Sequence, residues 1–477
     1  MRRLDVVIVG AGPNGLTAGI ALQRAGLETL VLEQADRPGG GARTSELTLP
    51  GFRHDDCSSV HPLALASPFF RDLGLERYGL QWVHPSAPLV HALNEDEVVS
   101  MERSVSVTAH GLGADRIAYE ALMGPFVEHF HELAPMVLGP LRWPTSPLFM
   151  ARFGLQAIRS LHGLAGSWFS ESRAAALLAG IAAHAMVPLE RAATASFALV
   201  LGAAAHAVGW PVAVGGSQAI SDALLACYRE LGGELCTGRA IRHASQLPAA
   251  RCYVYDLPPR HLLDIAGDAL PAFYRARLRQ FRHGPGVCKV DWALDGPIPW
   301  RNPLCARAAT VHLSGTLSKV GASERAVHAG RHEADPFVLL VQASLFDASR
   351  APPGEHTGWA YCHVPAGSEV DQSAAIEAHV ERFAPGFRGR IRARHVRSPR
   401  DLERYNPNCI GGDISGGSPD LAQLFFRPVA RVDPYRTPAP NIFLCSASTP
   451  PGGGVHGMCG YWCARSVLAH WRRLDRP

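Results

Sequence analysis

The sequence predicts an α/β protein built on a Rossmann-type unit, and three observations carry that reading. The β-branched run Val6-Val7-Ile8-Val9 suits a strand buried on both faces. Gly10-Ala11-Gly12-Pro13-Asn14-Gly15 follows at once as G-x-G-x-x-G. After a helical stretch over 16–25 and the helix-ending Gly26, Thr29-Leu30-Val31-Leu32 reads as a second strand, closed by Glu33 and Gln34.

Each part of this unit has a task in dinucleotide binding. Gly10 permits the tight turn, Gly12 lets backbone approach a pyrophosphate, and Gly15 lets helix pack on strand. The helix start at Pro13 and Asn14 presents free N–H groups and the positive end of the helix dipole. Glu33, 18 positions after Gly15, is placed to accept from a ribose hydroxyl.

Composition narrows the classes. The 477 residues are 47% hydrophobic and 18% charged, which excludes a mainly disordered chain, and the length predicts two or more domains or one large composite fold. The formal charge of +4 is spread without a basic stripe, which argues against nucleic acid as a partner. Of 46 basic residues only Lys289 and Lys319 are lysine, as a GC-rich genome would produce. The eleven cysteines contain no C-x-x-C pair, so reduced thiols in the cytoplasm are expected, with no disulfide framework and no metal site. Asp5 interrupts the apolar N-terminal stretch, which favours a strand over a signal peptide. The most apolar stretch, 192–208, has 17 residues, at the short limit for a membrane span, and is expected to be a buried helix.

Beyond Glu33, Arg37-Pro38-Gly39-Gly40-Gly41-Ala42-Arg43-Thr44 resembles the FAD-binding extension of the amine oxidase and phytoene desaturase superfamily. Asp56-Cys57-Ser58-Ser59-Val60-His61-Pro62, Gly209-Trp210-Pro211, Gly215-Gly216-Ser217-Gln218, Asn406-Pro407-Asn408 and Gly411-Gly412-Asp413-Ile414 are similar to the phytoene dehydrogenase-related proteins, as is the terminal run from Ser446 to Met458. That group is bacterial with mammalian mitochondrial relatives. The resemblance implies a glutathione-reductase-like, amine oxidase-type FAD domain with an interleaved α+β substrate domain. It further implies non-covalent FAD, with Gly40, Gly41 and Ala42 passing close to the diphosphate and Arg37 and Arg43 neutralising it. Backbone at Ile241, in a strand at 240–241, would contact adenine. Gly457 and Met458 would open a last helix (458–471) aimed at the flavin.

On these anchors, 1–62, 205–288 and 430–477 would assemble the FAD domain, and 63–204 and 289–429 the substrate domain. The first block of the latter is helix-rich over 117–204. In the second, 337–345 and 358–364 read as neighbouring strands. Gly452-Gly453-Gly454-Val455-His456-Gly457 repeats G-x-G-x-x-G literally, but only 20 residues follow, too few for a second βαβ unit of about 30.

The flavin would accept hydride, so the protein need only orient substrate and tune the ring. The resemblance places His61 and His456 in segments that approach the ring, where each either acts in catalysis or is a hydrogen-bonded structural residue. Asp55 and Asp56 follow a turn and would cap or pair. Lys289, on the strand expected over 287–294, resembles the lysine of flavin amine oxidases that reaches flavin N5 through water. Asp291 shares its face and could simply pair with it. No aromatic cage is visible in the terminal segment, which favours dehydrogenation of a carbon skeleton over amine oxidation.

The reading is therefore an FAD-dependent dehydrogenase or desaturase acting on a small or lipophilic organic substrate, with oxygen or another electron acceptor. A flavin oxidase of a cyclic amine or imine is the alternative. A non-catalytic binder like the Rab GDP-dissociation inhibitors is the alternative of another class. No transmembrane segment is expected; peripheral membrane contact and oligomeric state stay open.

Overall fold

The computed structural model describes residues 4–474, and its architecture follows from how the two kinds of sheet are buried. Leu4–Val9 is the middle of a five-stranded parallel sheet, flanked by Thr29–Leu32 and Glu234–Cys236 on one side and by Ala250–Tyr255 and Ile442–Leu444 on the other. Val6 to Val9 are all buried, as a central parallel strand requires. The first helix, Pro13–Arg24, starts three residues before the expected 16. Gly12 supplies an extended N-cap, and Pro13 fits the first helical position because no N–H is needed there.

Two glycines let helices touch backbone here. A Cβ on Gly15 would sit 2.0 Å from the Gly10 carbonyl oxygen, and one on Gly460 would sit 1.9 Å from that of Asn14. Gly460 belongs to the last helix, Met458–Leu474, which crosses the first helix at that contact. Tyr461 and Trp462 pack: Tyr461 lies against Phe69, and the Trp462 indole N–H donates to the Leu138 carbonyl at 3.1 Å.

The second sheet has seven strands, in the order 391–397, 286–294, 356–364, 338–341, 308–313, 87–92 and 98–101. All its pairings are antiparallel except that of Ala308–Leu313 with Ala87–Ala92. Every element between Val98–Met101 and Val212–Ala213 is helical, and these helices cover one end of the sheet. The apolar stretch at 192–208 contains Thr194–Ala207, a buried helix of 14 residues. Among the described residues no helix is long and apolar enough to cross a membrane.

Two expected strands differ. The one expected over 337–345 is only Val338–Val341. Gln342 ends it, because its side-chain amide donates to the carbonyls of Cys305 and Ala308 and a 3₁₀ turn follows. No strand forms at 240–241. The N–H groups of Gly238 and Arg239 donate to the carbonyls of Ala35 and Glu33, both at 2.8 Å, and carry the chain across the strand end.

Residues 44–59 are tied to the second half of the chain by buried ion pairs. Asp55 accepts from Arg350 at 3.0 Å, from the Ser217 N–H and from the Thr44 hydroxyl, both at 2.8 Å, and from the Ser59 hydroxyl. Arg350 also donates to Asp347 at 2.8 Å, and Asp347 accepts from the Gly215 N–H. Asp56 pairs with Arg397 at 2.8 Å. Both aspartates thus pair. Replacing Arg350 by Met would leave Asp55 buried without its cation, a change that costs about 3–5 kcal/mol. Urea unfolding of Arg350→Met should show a loss of that size; a midpoint equal to wild type would mean the pair contributes nothing.

Candidate active site

The phosphate-binding end is built from three separated segments. Gly12, Pro13 and Asn14 open the first helix, and Gly40 closes on them: a Cβ on Gly40 would sit 3.2 Å from the Gly12 Cα. The third segment brings Asp256, at the end of Ala250–Tyr255. Its carboxylate accepts from the Gly15 N–H at 3.0 Å and thereby caps the first helix. Burial pushes the Asp256 carboxyl up to about 7, against the lowering effect of that N–H and with the help of nearby Glu33. The side-chain oxygen of Asn14 is buried without a partner. A dinucleotide fits this cradle: glycines where side chains would collide, helix N–H groups, and an unpaired polar atom.

Glu33 accepts from the N–H groups of Ala11 at 2.8 Å and Ala35 at 2.9 Å, and lies 3.5 Å from Arg43. A carboxylate has about four acceptor sites, so room remains for a ribose hydroxyl. Arg43 stacks on Tyr405. Arg37 braces the next turn by donating to the Thr44 carbonyl and the Ser45 hydroxyl. Neither arginine lines the cavity. Gln34 is exposed at the strand end, and Ile241 is packed in the core beside the five-stranded sheet.

From this cradle a single cavity of about 1140 Å³ runs inward between the helices and the seven-stranded sheet. Gly12, Pro13, Asn14, Gly40, Gly41 and Ala42 line its near end. Its far end is apolar and aromatic, with Phe197, Val200, Trp210, Leu339, Trp359 and Tyr361. Trp359 and Tyr361 alternate on one strand, so both face the same way, and their rings stack with centroids 5.7 Å apart.

His61 and His456 both line the cavity. The His61 Nε2 meets the Ser217 hydroxyl at 2.8 Å; that hydroxyl donates to the Ser58 carbonyl, so the ring is the donor. The His456 Nδ1 accepts the Met458 N–H at 3.0 Å, which leaves its proton on Nε2. Burial lowers both rings to about 4, so they are neutral at pH 7. Gly457 and Met458 lie behind the cavity wall: a Cβ on Gly457 would meet the Thr17 hydroxyl and the Phe70 ring.

Lys289 stands apart from the cavity lining. Its ammonium is bonded to Asp291, two residues along one strand, and covered by the Trp359 ring at 4.9 Å. Asp291 is held near pH 2, because Lys289, His395 and His54 outweigh its burial. The ion pair with Asp291 is present, and the Trp359 ring that covers the ammonium lines the cavity. Sequence reasoning also missed Asp256, the Trp359–Tyr361 pair and His184. The aromatic pair alternates in a strand that was read as a strand, and that alternation was the available signal. Among the described residues no group of three or more His, Cys, Asp or Glu side chains could hold a metal ion.

Comparison with known proteins agrees with this geometry. Residues 8–73 match the NAD(P)-binding Rossmann-like domain. The chain is 27% identical to the mouse pyridine nucleotide-disulfide oxidoreductase domain-containing protein 2, over 98% of this chain and 94% of that one. It is 23% identical to a lycopene-forming phytoene desaturase of a Paracoccus species, over 95% of each. Its fold matches that of putrescine oxidase bound to putrescine, with a TM-score of 0.63, 17% identity and coverage of 99% and 100%.

The buried neutral histidines make a pH prediction. His61 and His456 titrate near 4 in the fold against 6.5 as the ordinary value. Below 6.5 the unfolded chain binds more protons, so stability is lost as pH falls from 6.5 to 4, by roughly 1.4 kcal/mol per pH unit for each ring. The urea midpoint should therefore drop steeply between pH 7 and pH 5. An unchanged midpoint would show that these rings are charged and solvated.

Proposed function

We propose that this protein, a relative of the phytoene desaturases within the amine oxidase and phytoene desaturase superfamily of oxidoreductases, uses non-covalent FAD to dehydrogenate a lipophilic organic substrate. The observation that carries the reading is the continuous cavity. Its near end is a dinucleotide cradle, its far end an apolar chamber, and its volume of about 1140 Å³ exceeds the roughly 300–1,000 Å³ of an ordinary small-ligand pocket. Two occupants, a cofactor and a substrate, account for that size.

FAD, when bound, supplies a two-electron acceptor for hydride. The protein's part is binding, orientation and exclusion of water. Gly12, Gly40 and Gly41 let backbone approach the diphosphate, Glu33 holds the ribose, and Asp256 faces the phosphates as a protonated acid. Trp359, Tyr361 and Trp210 present flat apolar faces against which an unsaturated or cyclic skeleton stacks. His61 and His456 line the cavity as neutral rings.

The stacked Trp359–Tyr361 pair gives the cyclic amine or imine reading a specific basis, since two aromatic faces attract a cation or its neutral amine. An anaerobic flavin-bleaching screen over polyenes, enones and cyclic amines decides between the two. A protein that binds FAD tightly yet bleaches with nothing, while capturing a lipid or protein ligand, would move the reading to the non-catalytic binder.

Two mutations test the cradle. Glu33→Ala should weaken FAD binding by about 1–3 kcal/mol, the effect of leaving a hydroxyl unpaired; an unchanged dissociation constant removes Glu33 from the ribose. Asp256 ionises near pH 7, and an ionised carboxylate repels the diphosphate. FAD affinity should therefore fall as pH rises from 7 to 8.5, by up to about tenfold per unit. Asp256→Asn should flatten that slope. Equal slopes in fluorescence titrations of the two proteins would place the diphosphate away from Asp256.

A further inference from the structure

Behind the far end of the cavity lies a cluster of histidines that no step above uses. His184 lines the cavity from the 3₁₀ turn Ala183–Ala185, and its ring centroid is 5.6 Å from that of His312. His312, on Ala308–Leu313, is fully buried and sits opposite His91 in the parallel register, with ring centroids 6.0 Å apart. Phe337 fills the space between His312 and His363, at 5.6 Å and 5.7 Å. His363 faces Glu324 across a buried contact of 2.7 Å.

The cluster is under-bonded to an unusual degree. His184 Nε2, both ring nitrogens of His312, His91 Nδ1, His363 Nε2 and one oxygen of Glu324 are buried with no protein partner. The His91 Nε2 donates to the Gly315 carbonyl at 2.7 Å, so its Nδ1 is left as an acceptor. Gly180 makes the approach possible: a Cβ there would lie 2.4 Å from His91 Nδ1 and 2.6 Å from His312 Nδ1. Buried polar atoms without protein partners are satisfied by internal water when the site is polar and roomy enough. The four such nitrogens of His184, His312 and His91 fit bridging waters better than a dry core, where each would be left without a partner.

One end of this cluster opens on the substrate. Most titratable groups on the cavity wall are already engaged: His61 with Ser217, His456 with Met458, Asp256 with Gly15, Asp413 with Gly284 and Gly417, and Arg427 with the Ala447 carbonyl. His184 has no hydrogen-bond partner among the described residues, and its ring is held neutral by burial. Dehydrogenation removes two hydrogens. One leaves its carbon with the bonding pair, as hydride that reduces FAD by two electrons. The other leaves as a proton, and its bonding pair becomes the new double bond. That proton needs a neutral base at the apolar end.

We propose that His184 accepts this proton and that waters bridging the unpaired ring nitrogens of His184, His312 and His91 take it onward from the cavity wall. The proposal rests on the flavin dehydrogenase reading for its first half only; the hydrated histidine chain stands on its own geometry.

The experiment has two arms. In the first, the ring nitrogens of ¹⁵N-histidine-labelled protein are followed by NMR after transfer to D₂O, with signals assigned through single substitutions. A water-filled cluster predicts that ring N–H protons of His312 and His184 exchange within the dead time of the transfer. Protection of His312 for hours would mean a dry cluster and overturn the relay. In the second arm, His184→Gln is compared with wild type for FAD dissociation constant and for anaerobic flavin reduction by whichever screened compound bleaches it. An unchanged dissociation constant with reduction slowed roughly a hundredfold or more is expected of a lost proton acceptor. Equal reduction rates would overturn the role of His184. A wild-type protein that binds no FAD would sink the flavin reading instead, and leave the first arm to judge the chain of waters.

Discussion

Arg350 and Asp55 lie 295 positions apart in sequence and meet with almost no exposure at all. Two charges taken from water are tolerable only if every remaining donor and acceptor is satisfied, and here the surroundings supply this. Thr44, Ser59 and the Ser217 N–H complete the carboxylate, while Asp347 and the Ala213 carbonyl complete the guanidinium. The partners come from three stretches of chain, 44–59, 213–217 and 347–350. The junction therefore sets the position of residues 41–61 against the seven-stranded sheet, and those residues carry Gly41, Ala42 and His61 to the cavity wall.

The cavity inherits its continuity from this arrangement. Its cofactor end belongs to the parallel sheet and its aromatic end to the antiparallel one, so neither sheet alone encloses a site. Close backbone approach completes the assembly. Gly15 and Gly460 allow the first and last helices to press on neighbouring carbonyls, which fixes the terminal loop and with it His456. A side chain at either position would separate the layers and open the cradle.

Burial sets the charge state of several groups in the site. His61 and His456 are neutral because burial disfavours their charged forms, and Asp256 retains its proton up to about pH 7 for the same reason. The strongly ionised groups, Asp55 with Arg350 and Asp291 with Lys289, are matched in pairs behind the wall. Asp413 and Arg427 also line the wall, each held by backbone groups. The unpaired nitrogens of the histidine cluster lie beside that wall, with His184 on it.

The sequence by itself determined the parallel sheet's first unit: strand, glycine turn, helix, strand and Glu33 depend on neighbours within about 30 residues, and local spacing encodes them. It also located the cradle at Gly12, Pro13, Asn14 and Gly40, and the last helix. It could not show that Arg37 braces a turn, that Arg43 stacks on Tyr405, or that Lys289 pairs with Asp291 under the Trp359 ring. Nor could it find Asp256 above the glycine loop, 241 positions from Gly15, or the Trp359–Tyr361 wall. Those roles are decided by which side chains meet after distant strands pair and burial strips away water, and only the tertiary structure holds that information.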